Sequence, residues 1–317
     1  MPVEERARAK VNLSLEVRGR LPNGYHALES LVVFADIGDR LTASAPGEGA
    51  GAAGAAGADH ITLELSGPFS AALTPSASAP IPAPISERAD NNLVLKAARM
   101  LQIEAGATAA GGARLSLEKN LPVAAGLGGG SADAAATLRA LARLWHIDIP
   151  ASHLHRLAQS LGADVLVCLA SEPVLMSGIG ERLSPLAALP SFWMVLANPG
   201  VPVPTGSVFA KLDAAPLAEP PPPQKLAGFN DLDELIVWLA VHGNDLQAPA
   251  LGLAPEIGPV LAALRHTDGC LLARMSGSGA SCFGLYADRV DAQNAAVSLA
   301  SAHAHWWVAA TPAGHGA

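Results

Sequence analysis

The sequence predicts an α+β fold divided into two domains, and three patterns lead to this prediction. Residues 9–17 alternate apolar and polar side chains, which is the period of a half-buried strand. Residues 134–144 keep their apolar side chains in helical register behind a cluster of glycines. From residue 192 onwards, strand and helix patterns follow one another in an order typical of an α+β layer sandwich.

In the N-terminal part, the patterns predict four strands and three helices. The strands are short apolar or alternating runs, and the helices repeat apolar residues every three or four positions. A glycine at position 162 ends the third helix, as glycine commonly does at helix C-termini. The predicted strands cover residues 9–17, 31–42, 61–65 and 113–117, and the predicted helices cover residues 92–103, 134–144 and 151–161.

The C-terminal part is predicted to begin with a strand near residue 192, followed by a helix. Later helices are predicted at residues 232–242, 256–266 and 289–301, and strands at residues 270–275, 281–286 and 306–310. At roughly 150 residues per domain, a chain of 317 residues holds about two domains. We expect an N-terminal domain over residues 1–186 and a C-terminal domain over residues 187–317.

The composition excludes several classes of partner. Lys and Arg number 20 against 28 Asp and Glu, giving a net charge of −8. A chain with this balance offers no basic face to neutralise a nucleic-acid backbone or an anionic membrane.

The three cysteines lie far apart without a Cys-x-x-Cys pair, so neither a disulfide framework nor a zinc site is indicated. Residues 1–10 are charged and lack the apolar run of a signal peptide, so we expect a cytoplasmic protein.

Three segments of biased composition interrupt these patterns. Residues 43–59 are almost wholly Ala and Gly, residues 67–86 are rich in Pro, Ala and Ser, and residues 216–223 contain five prolines. Such segments bury too little surface to offset the entropy of ordering. We therefore expect them to be surface loops without a functional role.

The most informative stretch for function is residues 121–135, with the sequence LPVAAGLGGGSADAA. Glycines let backbone N–H groups approach an anion closely, and the helix that follows adds unpaired donors and the positive end of its dipole. The stretch is neither a Walker A loop, since no Gly-Lys-Ser/Thr follows, nor the dinucleotide fingerprint. It predicts either a phosphate cradle or a tight structural turn at Gly126, Gly128, Gly129, Gly130 and Ser131.

A second glycine turn joins two predicted strands at residues 274–286, with the sequence RMSGSGASCFGLY. Its glycines, Gly277 and Gly279, alternate with serines. In isolation this pattern is typical of a hairpin loop that needs positive φ. The presence of two loops of small residues in one chain also favours a shared anionic ligand.

Three polar residues are candidates for a functional site. Lys10 and Asn12 share the polar face of the first predicted strand, which is either a solvated edge or part of a site. Asp164 precedes the apolar residues 165–169, where a carboxylate needs a partner or its pKa rises. A nearby lysine would supply the charge that such a carboxylate needs.

An aromatic residue and a histidine follow the turn signal at residues 22–24. Tyr25 and His26 could stack on a nucleobase and bond to its edge, or they could form a structural pair. His303 and His305 near the C-terminus have no spaced acids or cysteines, so no metal binding is expected there.

Taken together, these segments resemble the GHMP kinase superfamily. Its three motifs, an N-terminal strand, a Pro-x-x-x-Gly-Leu-Gly-Gly-Gly-Ser loop and a late glycine turn, all occur here in that order. A finer match is to the members that act on a cytidine diphosphate-linked methylerythritol. Beyond the two glycine segments, it rests on AKVNLSLEV at 9–17, GYHALES at 24–30, NNLVLKAARML at 91–101, LGADV at 161–165, ANPGVPVPT at 197–205 and ND at 244–245.

The resemblance implies a fold, a reaction and a set of ligands. The fold would be an N-terminal domain like the second domain of ribosomal protein S5 and a C-terminal ferredoxin-like domain, with the active site in the cleft between them. The reaction would be the phosphorylation of 4-diphosphocytidyl-2-C-methyl-D-erythritol on its 2-hydroxyl, with ATP and Mg²⁺, on the route to isoprenoid precursors. A monomer or a homodimer is expected, without a nucleic-acid or membrane partner.

The resemblance also assigns roles to individual residues. Asp164 matches the base that takes the proton of the 2-hydroxyl, and Lys10 matches the lysine that pairs with this base and with the transferring phosphoryl group. The residues that match substrate contacts are Asn12, Tyr25, His26 and Thr205, with His26 on the cytosine edge. The residues that match nucleotide contacts are Asn92, Lys119, Pro122, Gly126, Leu127, Gly128, Gly129, Gly130, Ser131, Gly277, Ser278 and Gly279.

The chain departs from the superfamily pattern at three positions. Ala124 and Ala125 stand where many members have glycine, and Asp133 stands where others have Asn. The four glycines nearest the phosphate remain, so activity is expected. Two alternatives stay open: a kinase of this fold acting on another small alcohol, such as homoserine or mevalonate, and a non-catalytic binding protein. The presence of Lys10 and Asp164 argues against the second.

Overall fold

The computed structural model describes residues 1–46, 60–73, 92–106 and 111–314, and the chain divides into two compact units. The units are interleaved along the sequence rather than consecutive. Unit 1 comprises Met1–Arg8, Gly38–Val123 and Gly129–Ala170, and unit 2 comprises Ala9–Ile37, Ala124–Gly128 and Ser171–Ala317. The domain boundary at residue 186 stays a prediction.

Unit 1 contains a small sheet with helices. Its sheet includes the last residues of β3 (His26–Ser44), which pair antiparallel with β5 (Ala113–Glu118); β5 in turn pairs parallel with β4 (Ile61–Ser66). Strand β1 (Val3–Asn12) begins in this unit and also pairs with β3. The helices are α1 (Leu93–Ala105), α2 (Gly129–Leu144), α3 (Ala151–Leu161) and α4 (Ala163–Ala170).

Helix α2 is the central helix of unit 1. It packs against α1, α3 and α4, and five of its buried residues are alanines. Alanine is the best helix former and has no side chain beyond Cβ, so neighbouring helices can approach α2 closely. This packing fixes the first turn of α2, at Gly129, on the body of the unit.

Unit 2 contains two groups of antiparallel strands. In the first, β2 (Glu16–Arg20) and β6 (Val174–Gly178) each pair with the first part of β3, and β7 (Arg182–Pro185) pairs with β6. In the second, the strand order is β11, β8, β10, β9. These strands are β8 (Phe192–Asn198), β9 (Leu272–Met275), β10 (Cys282–Tyr286) and β11 (Trp307–Ala313).

Five helices accompany these strands, and two of them cover the second group. Helices α8 and α9 pack on this group and close a core that includes Val195, Leu261 and Tyr286. The helices of unit 2 are α5 (Thr205–Lys211), α6 (Leu232–Val241), α7 (Gln247–Leu251), α8 (Ile257–Arg265) and α9 (Arg289–Ala302). The mixed α and β content confirms the predicted α+β fold class.

The first predicted strand was too long. Residues 9–17 do not form one strand, because β1 ends at Asn12 and β2 begins at Glu16. Between them the backbone changes partners: Leu13 N donates to Leu31 O at 2.8 Å, and Leu15 N donates to Gly243 O at 2.8 Å. The half-buried Arg274 fixes the bend, since its Nη1 donates to Leu13 O at 2.7 Å.

The predicted insertions differ in outcome. Residues 216–223 form no helix or strand and are mostly exposed, as predicted. Ala43 and Ser44, which were predicted to begin a loop, instead end β3, because they pair with Leu115 and Arg114 of β5. Residues 67–73 form a turn with one 3₁₀ segment, Ser70–Ala72. Residues 47–59 and 74–86 lie outside the described residues.

Within the described ranges, no helix is long and apolar enough to cross a membrane.

Candidate active site

The first half of the glycine loop belongs to unit 2 and is held by backbone bonds. Lys10 N donates to Leu127 O at 2.9 Å, and Ser281 N donates to Ala125 O at 3.0 Å. Ala124, Gly126 and Gly128 have positive φ angles of 53°, 75° and 63°. The loop therefore follows a left-handed path that glycine adopts without steric cost.

Two glycines of this loop are required by their surroundings as well as by their φ angles. A Cβ on Gly126 would lie 2.4 Å from Ser276 O, and a Cβ on Gly128 would lie 3.0 Å from Lys10 Cβ. The backbone at Gly128 thus runs directly against the Lys10 side chain. The tight-turn interpretation of these glycines is correct, and it does not exclude the phosphate-binding one.

The late glycine turn joins β9 to β10 and contacts the glycine loop within unit 2. Ser276 Oγ donates to Gly126 O at 2.9 Å, and Gly279 N donates to Ser276 O at 3.0 Å. Asn244 Nδ2 supports the turn by donating to Gly277 O at 2.9 Å. The turn is a hairpin loop, as its sequence predicted, and it also buttresses residues 124–128.

Thr205 lies next to this turn, since its Oγ1 is 2.8 Å from Ser278 Oγ. Thr205 is the exposed first residue of α5, whereas Ser278 is buried. A predicted substrate contact and a predicted nucleotide contact are therefore neighbours in unit 2.

Lys10 and Asn12 are buried, with 4% and 2% of their surface exposed, so they do not lie on a solvated strand edge. Asn12 N donates to Ser276 Oγ at 3.1 Å, and Asn12 Nδ2 donates to Ser30 Oγ at 2.7 Å. A buried polar group is retained only when its bonding capacity is met, and these partners fix the Asn12 side chain. Asn12 thereby links β1 to the late glycine turn.

A cavity of about 830 Å³ in unit 2 lies beside Tyr25 and His26. His26 stacks on Phe209 of α5 with ring centroids 4.9 Å apart, and Tyr25 is 62% exposed. The cavity wall also carries Arg20 and Lys211. An aromatic pair beside two cations suits a planar base that is linked to an anionic group.

The protonation state of His26 suits the recognition of a neutral base. Partial burial lowers the pKa of His26 below its ordinary value of 6.5, and the nearby Arg20 guanidinium lowers it further. The imidazole is therefore neutral at neutral pH, with one nitrogen as donor and the other as acceptor.

The second half of the glycine loop begins helix α2 in unit 1. Gly129, Gly130 and Ser131 form its first turn, which contains no acidic side chain. Among the described residues, and apart from the backbone of α2 itself, a Cβ placed on Gly130 would meet only Leu93 Cδ1 within 4 Å, at 3.9 Å. An anion could thus approach the unpaired N–H groups of this turn, which fits the phosphates of ATP.

A buried ionic cluster lies beneath Gly129. Lys119 Nζ donates to Asp39 Oδ2 and to Asp133 Oδ2, the second at 2.7 Å. A Cβ on Gly129 would lie 3.5 Å from Lys119 Nζ. Lys119 was predicted to line the adenosine, and that role stays a prediction; the structure gives its ammonium group two carboxylate partners. We call Asp39, Lys119 and Asp133 the triad.

The other predicted site residues in unit 1 lie at the starts of helices and just before the glycine loop. Asn92 caps α1, since its Oδ1 accepts from Val94 N at 2.9 Å. Pro122 is buried in the turn before the glycine loop. Asp164 is half-buried and lies in the first turn of α4, the helix that begins directly after Gly162. The first turn of a helix is a favourable place for an ionised carboxylate.

Oxygen donors for a metal ion are scattered rather than clustered in the part of the chain that the structure describes. No group of three or more His, Cys, Asp or Glu side chains there could hold a metal ion. Magnesium commonly keeps several waters and binds through nucleotide phosphates with one or two protein ligands. Binding of this kind does not require a cage of side chains.

Substituting the glycines separates the structural role of the loop from ligand binding. We expect Gly126→Ala to destabilise unit 2 by about 2 kcal/mol or more, because its Cβ meets backbone atoms at a positive φ angle. The matched control, Gly130→Ala, lies in α2 without a positive φ angle and should keep or slightly raise the free energy of unfolding. Urea unfolding of both variants checks this, and equal stabilities would contradict the argument.

Sequence reasoning missed several residues of these clusters. Asp39 lies within a predicted strand, and no motif marked it. Phe209 follows a Pro-Thr segment whose helix was not located, so its stacking on His26 had no sequence signal. Ser276 and Asn244 lay inside quoted motifs, but only the structure shows their bonds.

Comparison with known proteins places the chain among kinases. Residues 92–172 match the GHMP kinases N terminal domain, and residues 225–305 match the GHMP kinases C terminal domain. A 4-diphosphocytidyl-2-C-methyl-D-erythritol kinase of Parvibaculum lavamentivorans is 52% identical over 99% of both chains. One of Cereibacter sphaeroides is 50% identical over 96% of both chains.

Solved structures agree with these relatives. A crystal structure of 4-(cytidine 5'-diphospho)-2C-methyl-D-erythritol kinase superposes with a TM-score of 0.71 at 33% identity, covering 99% of this chain and 100% of the other. A homoserine kinase from Cytophaga hutchinsonii superposes with a TM-score of 0.64 at 19% identity, covering 99% and 95% of the two chains. The second likeness concerns the fold alone.

Proposed function

The chain belongs to the 4-diphosphocytidyl-2-C-methyl-D-erythritol kinases of the GHMP kinase family, and from this premise we propose its substrate and the roles of its residues. It transfers the γ-phosphoryl group of ATP to the 2-hydroxyl of 4-diphosphocytidyl-2-C-methyl-D-erythritol, giving the 2-phosphate and ADP. The product belongs to the methylerythritol phosphate route to isoprenoid precursors.

The observation that carries the substrate assignment is the cavity beside the stacked His26 and Phe209 rings. Cytosine is planar, and an aromatic wall holds such a ring by stacking. Its edge carries both donors and acceptors, which a neutral His26 can match with its two nitrogens. Arg20 and Lys211 provide positive charge for the diphosphate that follows the nucleoside.

The phosphoryl transfer itself needs positioning and charge neutralisation. Its transition state is loose, so the protein has little covalent chemistry to perform. Backbone N–H groups at Gly129, Gly130 and Ser131 hold the phosphates of ATP, and Lys10 neutralises charge on the transferring group. Mg²⁺, when bound with ATP, supplies further positive charge at the phosphate oxygens.

The proton of the 2-hydroxyl goes to Asp164. A carboxylate is a weak base toward an alcohol, so the proton leaves late, as the new P–O bond forms. Asp164 therefore acts largely by orienting the hydroxyl for in-line attack. Asn12 and Thr205 contact the same substrate in this assignment.

A coupled assay of ADP release tests the proposal. The protein would receive Mg-ATP with 4-diphosphocytidyl-2-C-methyl-D-erythritol, and with homoserine or mevalonate in parallel reactions. Turnover with the cytidine compound alone is expected. Turnover with another acceptor would keep a kinase but remove the cytidine pocket, and no turnover with any acceptor would favour a binding protein.

Replacing His26 tests the cytidine pocket. We expect His26→Ala to raise KM for the cytidine substrate about tenfold, because the variant loses one hydrogen bond and the stacking surface of the ring. KM for ATP should stay unchanged. His155→Ala, at an exposed position of α3, serves as the matched control. Steady-state kinetics with each substrate varied in turn would detect the opposite result, a change in KM for ATP alone.

A further inference from the structure

Building on the proposed function, we propose that Asp133 is a positioning residue that takes up a proton when nucleotide phosphates bind at the first turn of α2. The protonated carboxyl group is then the form present in the nucleotide complex. The structural basis is the triad beneath Gly129.

The triad carries more negative than positive charge. It contains two carboxylates and one ammonium group, and each of the three side chains is at most 3% exposed. Lys119 can therefore compensate only one carboxylate fully. A second ionised carboxylate in a buried place is costly unless other groups solvate it.

The two carboxylates are not equivalent. Asp39 Oδ1 accepts from Asn120 N at 2.6 Å and from Leu121 N at 2.9 Å, and its Oδ2 accepts from Lys119. Asp133 Oδ2 accepts from Lys119, but Asp133 Oδ1 is buried and has no hydrogen-bond partner among the residues that the structure describes. Backbone donors stabilise the charge on Asp39, so the proton belongs on Asp133.

The electrostatic surroundings agree with this placement. Burial raises the pKa of Asp133 to about 7, and the charge of Asp39 adds to the rise, although Lys119 opposes it. The acidic, basic and histidine side chains on the helices that pack against α2 are all exposed or half-buried: Lys96, Arg99 and Glu104 of α1, His153, His155 and Arg156 of α3, and Asp164 of α4. Both forms of Asp133 are thus accessible near neutral pH.

The triad is close enough to interact electrostatically with an anion at the first turn of α2. A Cβ on Gly129 would lie 3.5 Å from Lys119 Nζ and 3.6 Å from Asp39 Oδ2. Phosphates bound to the N–H groups of this turn would lie over a triad that carries a net charge of −1 when both carboxylates are ionised. Protonation of Asp133 makes the triad neutral, so anion binding and proton binding favour each other.

The sign of the pH dependence follows from this linkage. At pH 8 the free protein has mostly ionised Asp133, so nucleotide binding must take up a proton there. The affinity for nucleotide should fall as the pH rises above about 7, by at most tenfold per pH unit for one proton. Below this range Asp133 is already protonated and adds no pH dependence.

Isothermal titration calorimetry measures this proton directly. The non-hydrolysable analogue AMP-PNP with Mg²⁺ would be titrated at pH 6.5 to 8.5 into wild-type protein and Asp133→Asn, in two buffers of different ionisation enthalpy. We expect wild type to take up close to one more proton than the variant at pH 8. Asn mimics the neutral acid, so the variant should bind about tenfold more tightly than wild type at pH 8.5.

The comparison distinguishes the possible failures. The ionisation of the nucleotide itself is common to both proteins and cancels in the difference. Binding with equal proton uptake in wild type and variant would overturn the role of Asp133 and leave the proposed function intact. Absence of binding to both would overturn the proposed function and this inference together. If Asp133→Asn does not fold, Asp133→Ala, which also cannot take up a proton at this position, replaces it in the same difference measurement.

Discussion

Asp164→Asn is expected to lower kcat at least about 10²-fold while the affinity for ATP stays near wild type. The amide has nearly the shape of the carboxylate but cannot accept the proton of the 2-hydroxyl. It also loses the charge that orients this hydroxyl. Because the first turn of α4 tolerates a neutral polar residue, the fold should persist with only a small loss of helix-dipole stabilisation.

The measurement combines steady-state kinetics with nucleotide binding. Asp148→Asn, at an exposed position between α2 and α3 in the same unit, provides the matched control and should keep full activity. A fall in ATP affinity that matches the fall in kcat would indicate structural damage. Unchanged turnover in Asp164→Asn would remove Asp164 from the mechanism.

Local patterns in the sequence predicted most helices and strands of the described residues. Helices α1, α2 and α3 were predicted because a helix that packs on one side repeats its apolar residues with a helical period. Strand β6 was not predicted, because all its residues are buried and show no alternation, and its partner β3 is distant in sequence. Strand β7, which pairs with β6, was not predicted either.

The interleaving of the two units had no sequence signal. The long strand β3 passes from unit 2 to unit 1 between Ile37 and Gly38. The chain enters unit 2 again between Val123 and Ala124 and returns to unit 1 between Gly128 and Gly129. Periodicity records only whether a residue faces a core. It does not record which core, so a division at one point in the chain was the simplest expectation.

Candidate residues were recognised where a motif marked them and missed where only tertiary contact does. The glycine loop was found because glycine at several close positions is rare outside turns and anion sites. The triad was missed because Asp39, Lys119 and Asp133 are widely separated in sequence, and a single buried charge looks like a surface residue in a strand or helix pattern. Its chemistry arises only when the three groups share one buried place.

Lys119→Met is expected to destabilise the protein by about 3–5 kcal/mol at pH 7.5, the cost of leaving buried carboxylates without their counter-charge. Methionine keeps much of the length of the lysine stem, so the loss reflects charge more than volume. Lys96→Met, at an exposed position of α1, is the matched control and should change the free energy of unfolding by less than about 0.5 kcal/mol.

The double variant Lys119→Met with Asp133→Asn identifies which carboxylate carries the cost. Within the described part of the chain, Asp133 Oδ1 has no donor, whereas Asp39 keeps Asn120 N and Leu121 N as donors. Neutralising Asp133 should therefore recover much of the lost stability. The same interaction sets the pH dependence of the free energy of unfolding. Without Lys119, the pKa of Asp133 in the folded protein rises further above its unfolded value. Lys119→Met therefore regains stability as the pH falls. Urea unfolding without nucleotide at pH 5.5 and 7.5 measures both effects. A loss in Lys119→Met that is independent of pH and unrelieved by Asp133→Asn would show that the lysine acts through packing rather than charge.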